Sequence, residues 1–367
     1  MKICLISNFP SHYREEIYRE LGKDFNCDFV FGDKLNGGIT PFDISTLNSK
    51  VHILKNISYK DITLWQIGVL KYAFKKYDRV IIADDIRCLS TWVFLLMARL
   101  SGKKIYFWAH GWYGKENYIK KCIKQLFYRL PEGMFLYGNY SRNLMIDNGF
   151  NPDKLWVIHN SLAYSRQIEI RRGLRSSGIY TSHFLNTDPN LIFIGRLTKV
   201  KRLDMLIRAL DILRKEGLHC NLTLVGAGTE LEELRRMTID YELENRVWFY
   251  GASYDEYTNA ELIYNADLCV SPGNIGLTAM HVMMYGTPAV THDSFEWQMP
   301  EFEAIRPDCT GEFYNHDSIT SLADTIKEWL ESKKGMREEV RKSCYAEIDA
   351  YWNPAYQLDI IRKNINN

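Results

Sequence analysis

The chain has 367 residues, of which 46% are hydrophobic, 25% charged and 13% aromatic. That length suits two domains of about 150–180 residues each, and the aromatic content excludes a largely disordered chain. Lysine and arginine number 46 against 45 acidic residues, a net charge of +1, which excludes a general electrostatic binder of nucleic acid and leaves only local basic patches.

In chain order, short apolar runs alternate with amphipathic stretches. Runs at 2–7, 27–31, 51–54, 79–83, 104–109, 133–137 and 156–158 fall in the first half, and 191–195, 222–225, 247–250, 268–271 and 289–291 in the second. Such short, continuous apolar runs suit strands buried on both faces of a parallel sheet. The first run turns at Pro10 and reads as a strand, not a signal peptide. The longest apolar stretch, 92–100, is interrupted by Arg99 and falls short of the about 20 residues a membrane span needs. A soluble, cytoplasmic protein is expected. Among the eight cysteines there is no C-x-x-C pair, and Cys4 and Cys269 lie inside apolar runs, the pattern of small buried thiols and not of a metal or disulfide framework.

Two stretches carry a clear helical stripe: 204–216, with Leu206, Ile207, Leu210 and Leu213, and 117–130, with Ile119, Cys122, Ile123, Leu126, Phe127 and Leu130. The second is expected to pack its apolar face on the first domain. Its lysines, Lys120, Lys121 and Lys124, are then either an ordinary solvated face or a basic edge for an anionic membrane. From 161 to 190 arginines, serines and glycine displace apolar periodicity, which reads as a linker and surface loop. The alternation predicts an α/β protein of two Rossmann-like doubly wound domains, divided as 1–163, a linker at 164–189, 190–345 and a terminal segment at 346–367.

The chemistry concentrates in the second half. The strand at 191–194 ends in Gly195-Arg196-Leu197, with Lys201 five residues after Arg196. Ligands of open α/β sheets bind at the carboxyl ends of strands, where a guanidinium fork and an ammonium suit a diphosphate. The turn Val225-Gly226-Ala227-Gly228 is G-x-G only; it permits close backbone approach and equally suits a purely structural turn. Ser271-Pro272-Gly273-Asn274 breaks a buried strand, and a helix is expected from Gly276 to Gly286. The N–H groups of Gly276, Leu277 and Thr278 then form an anion site facing Arg196 and Lys201.

These segments, taken in order with Tyr250-Gly251-Ala252, Ala266-Asp267-Leu268-Cys269-Val270-Ser271-Pro272, Gly286-Thr287-Pro288-Ala289-Val290, Cys309-Thr310-Gly311-Glu312-Phe313 and Trp352-Asn353-Pro354, resemble the family 4 GT-B glycosyltransferases (glycosyl transferases group 1) over roughly residues 190–360. Val157-Ile158-His159-Asn160-Ser161 resembles the family's interdomain strand and turn. The resemblance implies two Rossmann-like domains facing a cleft, with a last helix crossing back to the first domain. It implies a retaining, metal-independent transfer of sugar from a UDP- or GDP-sugar to a glycan or lipid-linked glycan, in cell-surface polysaccharide or lipopolysaccharide assembly, with no further cofactor and a peripheral place on the inner membrane face. Consistent with it, the sequence has no D-x-D triplet. Epimerisation of a sugar nucleotide, or binding without catalysis, are the alternatives.

The family's pair of glutamates eight positions apart maps onto Gly273 and His281. His281 can hydrogen-bond a ribose hydroxyl through one ring nitrogen, and Asn274, beside Ile275, can reach sugar hydroxyls. Base recognition is expected from backbone at Gly251 and Ala252. The stretch 291–303 places Glu296 and Glu301 where they can contact a sugar. In the first domain the resemblance makes His110, after the strand at 104–109, the residue facing the donor sugar. His12 and Arg14, after the first strand, and Asp84, after the strand at 79–83, are candidates for acceptor binding; Asp84 serves equally as a helix cap.

Overall fold

The computed structural model describes residues 1–34, 41–60 and 62–365. The chain divides into two units, Met1–Tyr164 together with everything from Tyr351 onward, and Ser165–Ala350.

The first unit runs β1 (Lys2–Ser7), α1 (Glu15–Asp24), β2 (Asn26–Gly32), β3 (Val51–Leu54), β4 (Asn56–Tyr59), β5 (Ile62–Gln66), β6 (Arg79–Ala83), α2 (Leu89–Leu100), β7 (Lys104–Ala109), α3 (Tyr118–Tyr128), β8 (Gly133–Leu136), α4 (Asn139–Asp147) and β9 (Leu155–Val157). Seven strands pair in parallel in the order β3-β2-β1-β6-β7-β8-β9, and β4 and β5 form a separate antiparallel hairpin. Alternate residues feed opposite faces. Ile3 and Leu5 join Phe29, Ile81 and Trp108 in one core, while Cys4 and Ile6 join Val30, Ile82 and Phe107 in the other. A sheet covered on both faces has no polar side, which is why its strands read as continuous apolar runs.

The second unit runs α5 (Tyr164–Gly173), α6 (Ile179–Phe184), β10 (Asn190–Ile194), α7 (Leu203–Lys215), β11 (Asn221–Val225), α8 (Leu231–Asp240), β12 (Val247–Gly251), α9 (Glu256–Asn265), β13 (Leu268–Val270), α10 (Thr278–Met284), β14 (Ala289–His292), β15 (Gly311–Tyr314), α11 (Ile319–Ser332) and α12 (Arg337–Tyr351). Its sheet is ordered β12-β11-β10-β13-β14-β15. The last helix, α13 (Pro354–Ile365), belongs to the first unit. It buries Ile361 and Ile365 in that unit's core and pairs Arg362 with Asp24 of α1 at 2.7 Å.

Each of the twelve apolar runs contains a strand, and both sheets are doubly wound, as expected. Three expectations are corrected. The stretch 164–189 is not loop: α5 and α6 lie there, anchored by buried Gln167, Ile170 and Tyr180. The Tyr180 hydroxyl donates to the Leu262 carbonyl at 2.7 Å, and Arg171 pairs with Asp349 at 2.7 Å; residues that mask periodicity are paired within the unit. The segment Gly311–Tyr314, absent from the predicted strands, is an edge strand paired in parallel with β14. Finally, α3 does not pack its stripe inward. It buries Phe127 and Tyr128, whereas Tyr118, Ile119, Ile123 and Leu126 are exposed. No helix among the described residues is long and apolar enough to cross a membrane.

Candidate functional site

In both sheets the strand order reverses direction beside the first strand, between β1 and β6 in one and between β10 and β13 in the other. Loops leaving two such neighbours diverge and open a crevice at the carboxyl edge. The candidate residues sit on these loops.

In the second unit the two loops are 195–202 and 271–277. Lys201 donates from its Nζ to the Asn274 carbonyl, and the Gly273 N–H donates to the Lys201 carbonyl at 3.0 Å. The two loops therefore clasp each other. Arg196 is exposed and close enough to Lys201 to act on its ionisation; burial, and then the Arg196 charge, push the ammonium down to about 8. Neither cation bonds a carboxylate among the described residues. The helix begins at Thr278, so Gly276 and Leu277 precede it, and their N–H groups meet no protein acceptor among the described residues. Two cations and two open amides stand at one sheet edge, a combination that stabilises an oxyanion-rich group.

Other candidates in and around this loop have partners within the unit. Ile275 is fully buried and donates its N–H to Gln298 Oε1 at 3.0 Å, so it offers no amide to a ligand. The Thr278 hydroxyl donates to the Ile194 carbonyl at 3.0 Å and joins the helix start to the end of β10. The Asn274 side-chain amide donates to the Trp297 carbonyl at 3.1 Å. Gly226 is structural: its N–H donates to the Gly251 carbonyl at 2.8 Å, and a Cβ there meets the Gly195 carbonyl oxygen at 1.8 Å. Gly251 and Ala252 are exposed at the end of β12.

His281 has a partner that sequence reasoning missed. Its Nε2 lies 3.1 Å from Glu256 Oε1, at the start of α9. The same oxygen accepts from Tyr285 Oη at 2.6 Å and Gln167 Nε2 at 2.9 Å. Burial opposes ionisation of Glu256, but the bonds from His281, Tyr285 and Gln167 outweigh it and hold the carboxyl at about 2. A carboxylate acceptor keeps a proton on Nε2 and leaves Nδ1 for another partner. Asp255, one residue earlier, caps α9 by accepting the Thr258 N–H at 2.8 Å; the reach of Glu256 to α5 and α10 leaves no local mark in the sequence.

The stretch 291–303 does adjoin the site. Buried Gln298 receives the Ile275 N–H and donates to Thr291 Oγ1 at 2.8 Å and to the His292 carbonyl at 3.2 Å. Glu301 is buried within electrostatic reach of Lys201. Glu296 instead accepts from Ser294 Oγ at 2.9 Å, a local turn contact.

In the first unit Asn8 Nδ2, after β1, donates to Asp85 Oδ2, after β6, at 2.7 Å across the reversal point. Asp84 accepts from Tyr128 Oη at 2.9 Å and from the Gly111 N–H at 3.4 Å; burial raises its pKa against those bonds. It caps no helix. Asp85, not Asp84, receives the Arg87 N–H at 3.1 Å. Arg14 donates to Tyr137 Oη and lies over the rings of Tyr13, Trp108 and Tyr137. The Tyr137 ring is 4.7 Å from that of His110, so Arg14, Tyr137 and His110 are contiguous. His12 is exposed, with its ring edge on Tyr13.

Residues 181–346 match the model of the family Glycosyl transferases group 1. An uncharacterized glycosyltransferase of Methanocaldococcus jannaschii is 29% identical over 149 residues, 40% of this chain and 35% of that protein. The chain thus spans about a third of that curated relative's length. Among solved structures, Anabaena HepE in complex with UDP superposes with a TM-score of 0.72 at 16% identity, covering 100% of both chains. The apo lipopolysaccharide outer core galactosyltransferase WaaB superposes at 0.70 and 16% identity, over 100% of this chain and 98% of that one. The fold is GT-B.

Proposed function

We propose that the chain is a nucleotide-sugar-dependent glycosyltransferase that moves a sugar to a glycan or lipid-linked glycan acceptor. The observation that carries this reading is the convergence of Arg196 and Lys201, neither bonded to a carboxylate among the described residues, on a loop with open Gly276 and Leu277 amides at the sheet's reversal point. A diphosphate leaving group gathers negative charge as the sugar–oxygen bond breaks. Cations and amides already in place stabilise that charge without reorganising. Arg196 grips two oxygens, Lys201 supplies a point charge, and the amides complete the cradle, the work a divalent ion does in metal-dependent transfer. Retention of configuration rests on the family resemblance of the 181–346 segment. UDP is the first nucleotide to test, because HepE was solved with it.

Ribose recognition falls to His281 Nδ1, held by Glu256. Acceptor recognition falls to the carboxyl edge of the first sheet, with Arg14, Asp84 and His110; the resemblance gives His110 its role toward the donor sugar. A lipid-linked acceptor places the reaction at the inner face of a membrane, in cell-surface polysaccharide assembly.

The deciding experiment incubates the protein with UDP- and GDP-sugars, with and without lipid-linked and free glycan acceptors. Nucleotide release that requires acceptor supports transfer. Isomerised sugar without acceptor would make it an epimerase, and bound, unaltered donor a binding protein.

A further inference from the structure

Of the nine tryptophans, all within the described residues, Trp297 alone is exposed, at 53%; the other eight are buried or half-buried. Tryptophan joins a large flat apolar face to a single N–H donor, which suits it to a binding surface where it stays outside the core. The support of this indole is stiff. Trp297 closes a short helical turn, Phe295–Trp297, by donating its N–H to the Ser294 carbonyl at 3.0 Å. The Phe295 ring stacks on that of Phe302, with centroids 4.4 Å apart and planes 6° apart. The next residue, Gln298, is the buried one that receives the Ile275 N–H.

The turn is fastened to the anion loop. The Trp297 carbonyl accepts the Asn274 side-chain amide at 3.1 Å, and the Asn274 carbonyl in turn accepts from Lys201. A Cβ on Gly276, one of the two residues with open amides, would lie 3.9 Å from Met299 Cγ. Sheet order then gives a direction. Along the carboxyl edge the strands run β12, β11, β10, β13, β14, β15. Base recognition is expected after β12, and the cations and open amides follow β10 and β13. The Trp297 turn follows β14, on the side of the diphosphate cradle away from the base. A sugar nucleotide is linear: base, ribose, diphosphate, sugar. Laid along this edge, it brings its sugar to the turn after β14.

We propose that Trp297 is the platform on which the donor sugar stacks, with the indole against a C–H face of the pyranose, so that this residue reads the sugar and not the nucleotide. The inference rests on the glycosyltransferase reading, and its test separates the two. Affinities of the full chain for UDP, GDP, UDP-glucose, UDP-galactose and GDP-mannose are measured by calorimetry for the parent, Trp297→Phe and Trp297→Ala. In the nucleotide series that the parent binds, Trp297→Ala is expected to leave the free nucleotide within about twofold and to weaken the sugar nucleotide by about tenfold, the scale of one lost aromatic contact. Trp297→Phe keeps a flat ring and recovers most of that loss. The side chain is exposed, so both variants keep the thermal unfolding of the parent. The indole also reports directly: the emission that Trp297→Phe lacks moves to the blue with sugar nucleotide and not with free nucleotide, because the sugar excludes water from the ring. Sugar-nucleotide affinity unchanged in Trp297→Ala, an equal loss for free and sugar nucleotide, or an indole emission that ignores the sugar overturns the proposal. So does a loss seen only as a higher KM for acceptor at unchanged donor affinity, which gives the platform to the acceptor. A parent that binds neither nucleotide refutes the glycosyltransferase reading itself, and the platform falls with it.

Discussion

Lys201 does two things at once: its ammonium holds the Asn274 carbonyl, and its charge adjoins that of Arg196. Arg196→Ala and Lys201→Ala should each weaken UDP binding by about 1–3 kcal/mol, the scale of a charged hydrogen bond, as read by calorimetry. The pH dependence has a definite sign. Lys201 titrates near 8, so it is cationic below that value and neutral above it. UDP affinity should be flat to about pH 7.5 and then fall by up to about tenfold per unit, the slope of one lost proton; Lys201→Arg should stay flat. Gly273 carries the second prediction at this scale. A Cβ there lies 2.0 Å from the Val200 carbonyl oxygen and 2.9 Å from Lys201 Cα, both backbone. Gly273→Ala should therefore destabilise the second unit by about 1–3 kcal/mol, measured by thermal unfolding. Arg196, Lys201 and the glycines were legible because each is a residue type with a narrow set of uses. Gln298 was not, because a glutamine in a loop declares nothing until its three partners, Ile275, Thr291 and His292, are in place.

Glu256 ties three elements together, with Gln167 on α5, its own position on α9, and His281 on α10 with Tyr285 just after that helix. Its carboxyl falls from 4.5 to about 2 on folding, and its side chain is only 22% exposed. A shift of that size corresponds to about 3 kcal/mol. Because the folded value is depressed, the stabilisation is present in full above pH 4.5 and is lost as pH falls through about 2. The difference in melting temperature between the parent and Glu256→Gln should be constant near neutrality and shrink between about pH 4.5 and 2; a difference that does not change there would refute the assignment. Elements also show where periodicity misleads. The stripe of α3 was real, but an amphipathic pattern reports that a face is apolar, not what covers it. In α5 the signal failed the other way, because an arginine that pairs within the unit, Arg171 with Asp349, looks like one in a loop.

At the level of the whole molecule the chain leaves the first unit at Tyr164 and returns at Tyr351, so the first unit is completed only when α13 arrives. Gln357 donates to the His159 carbonyl at 2.8 Å and accepts from Ser161 Oγ at 2.7 Å, while Ile361 and Ile365 are fully buried. Truncation after Asn353 should expose amides of β1, β2 and α1 to hydrogen exchange and leave β10, β11 and β13 protected. Function should divide along the same boundary. Asp84→Asn and His110→Ala, both in the first unit, should leave UDP affinity within about twofold and lower turnover by about 10²-fold, the range for a lost polar catalytic contact; a loss of nucleotide affinity in either would contradict that division.

The sequence alone determined the doubly wound architecture and offered the diphosphate candidates. Parallel strands covered on both faces must be apolar throughout, whereas a lysine near a helix start is common on any surface and by its type alone marks only a candidate. Tertiary structure alone decided which candidates are free to act. Hydrogen bonds between residues far apart in the chain engage the Ile275 amide, the Thr278 hydroxyl and one nitrogen of His281; among the described residues none engages the amides of Gly276 and Leu277. A bond spanning 23, 84 or 25 positions leaves no local mark on composition or period, because only the folded path of the chain brings its two ends together.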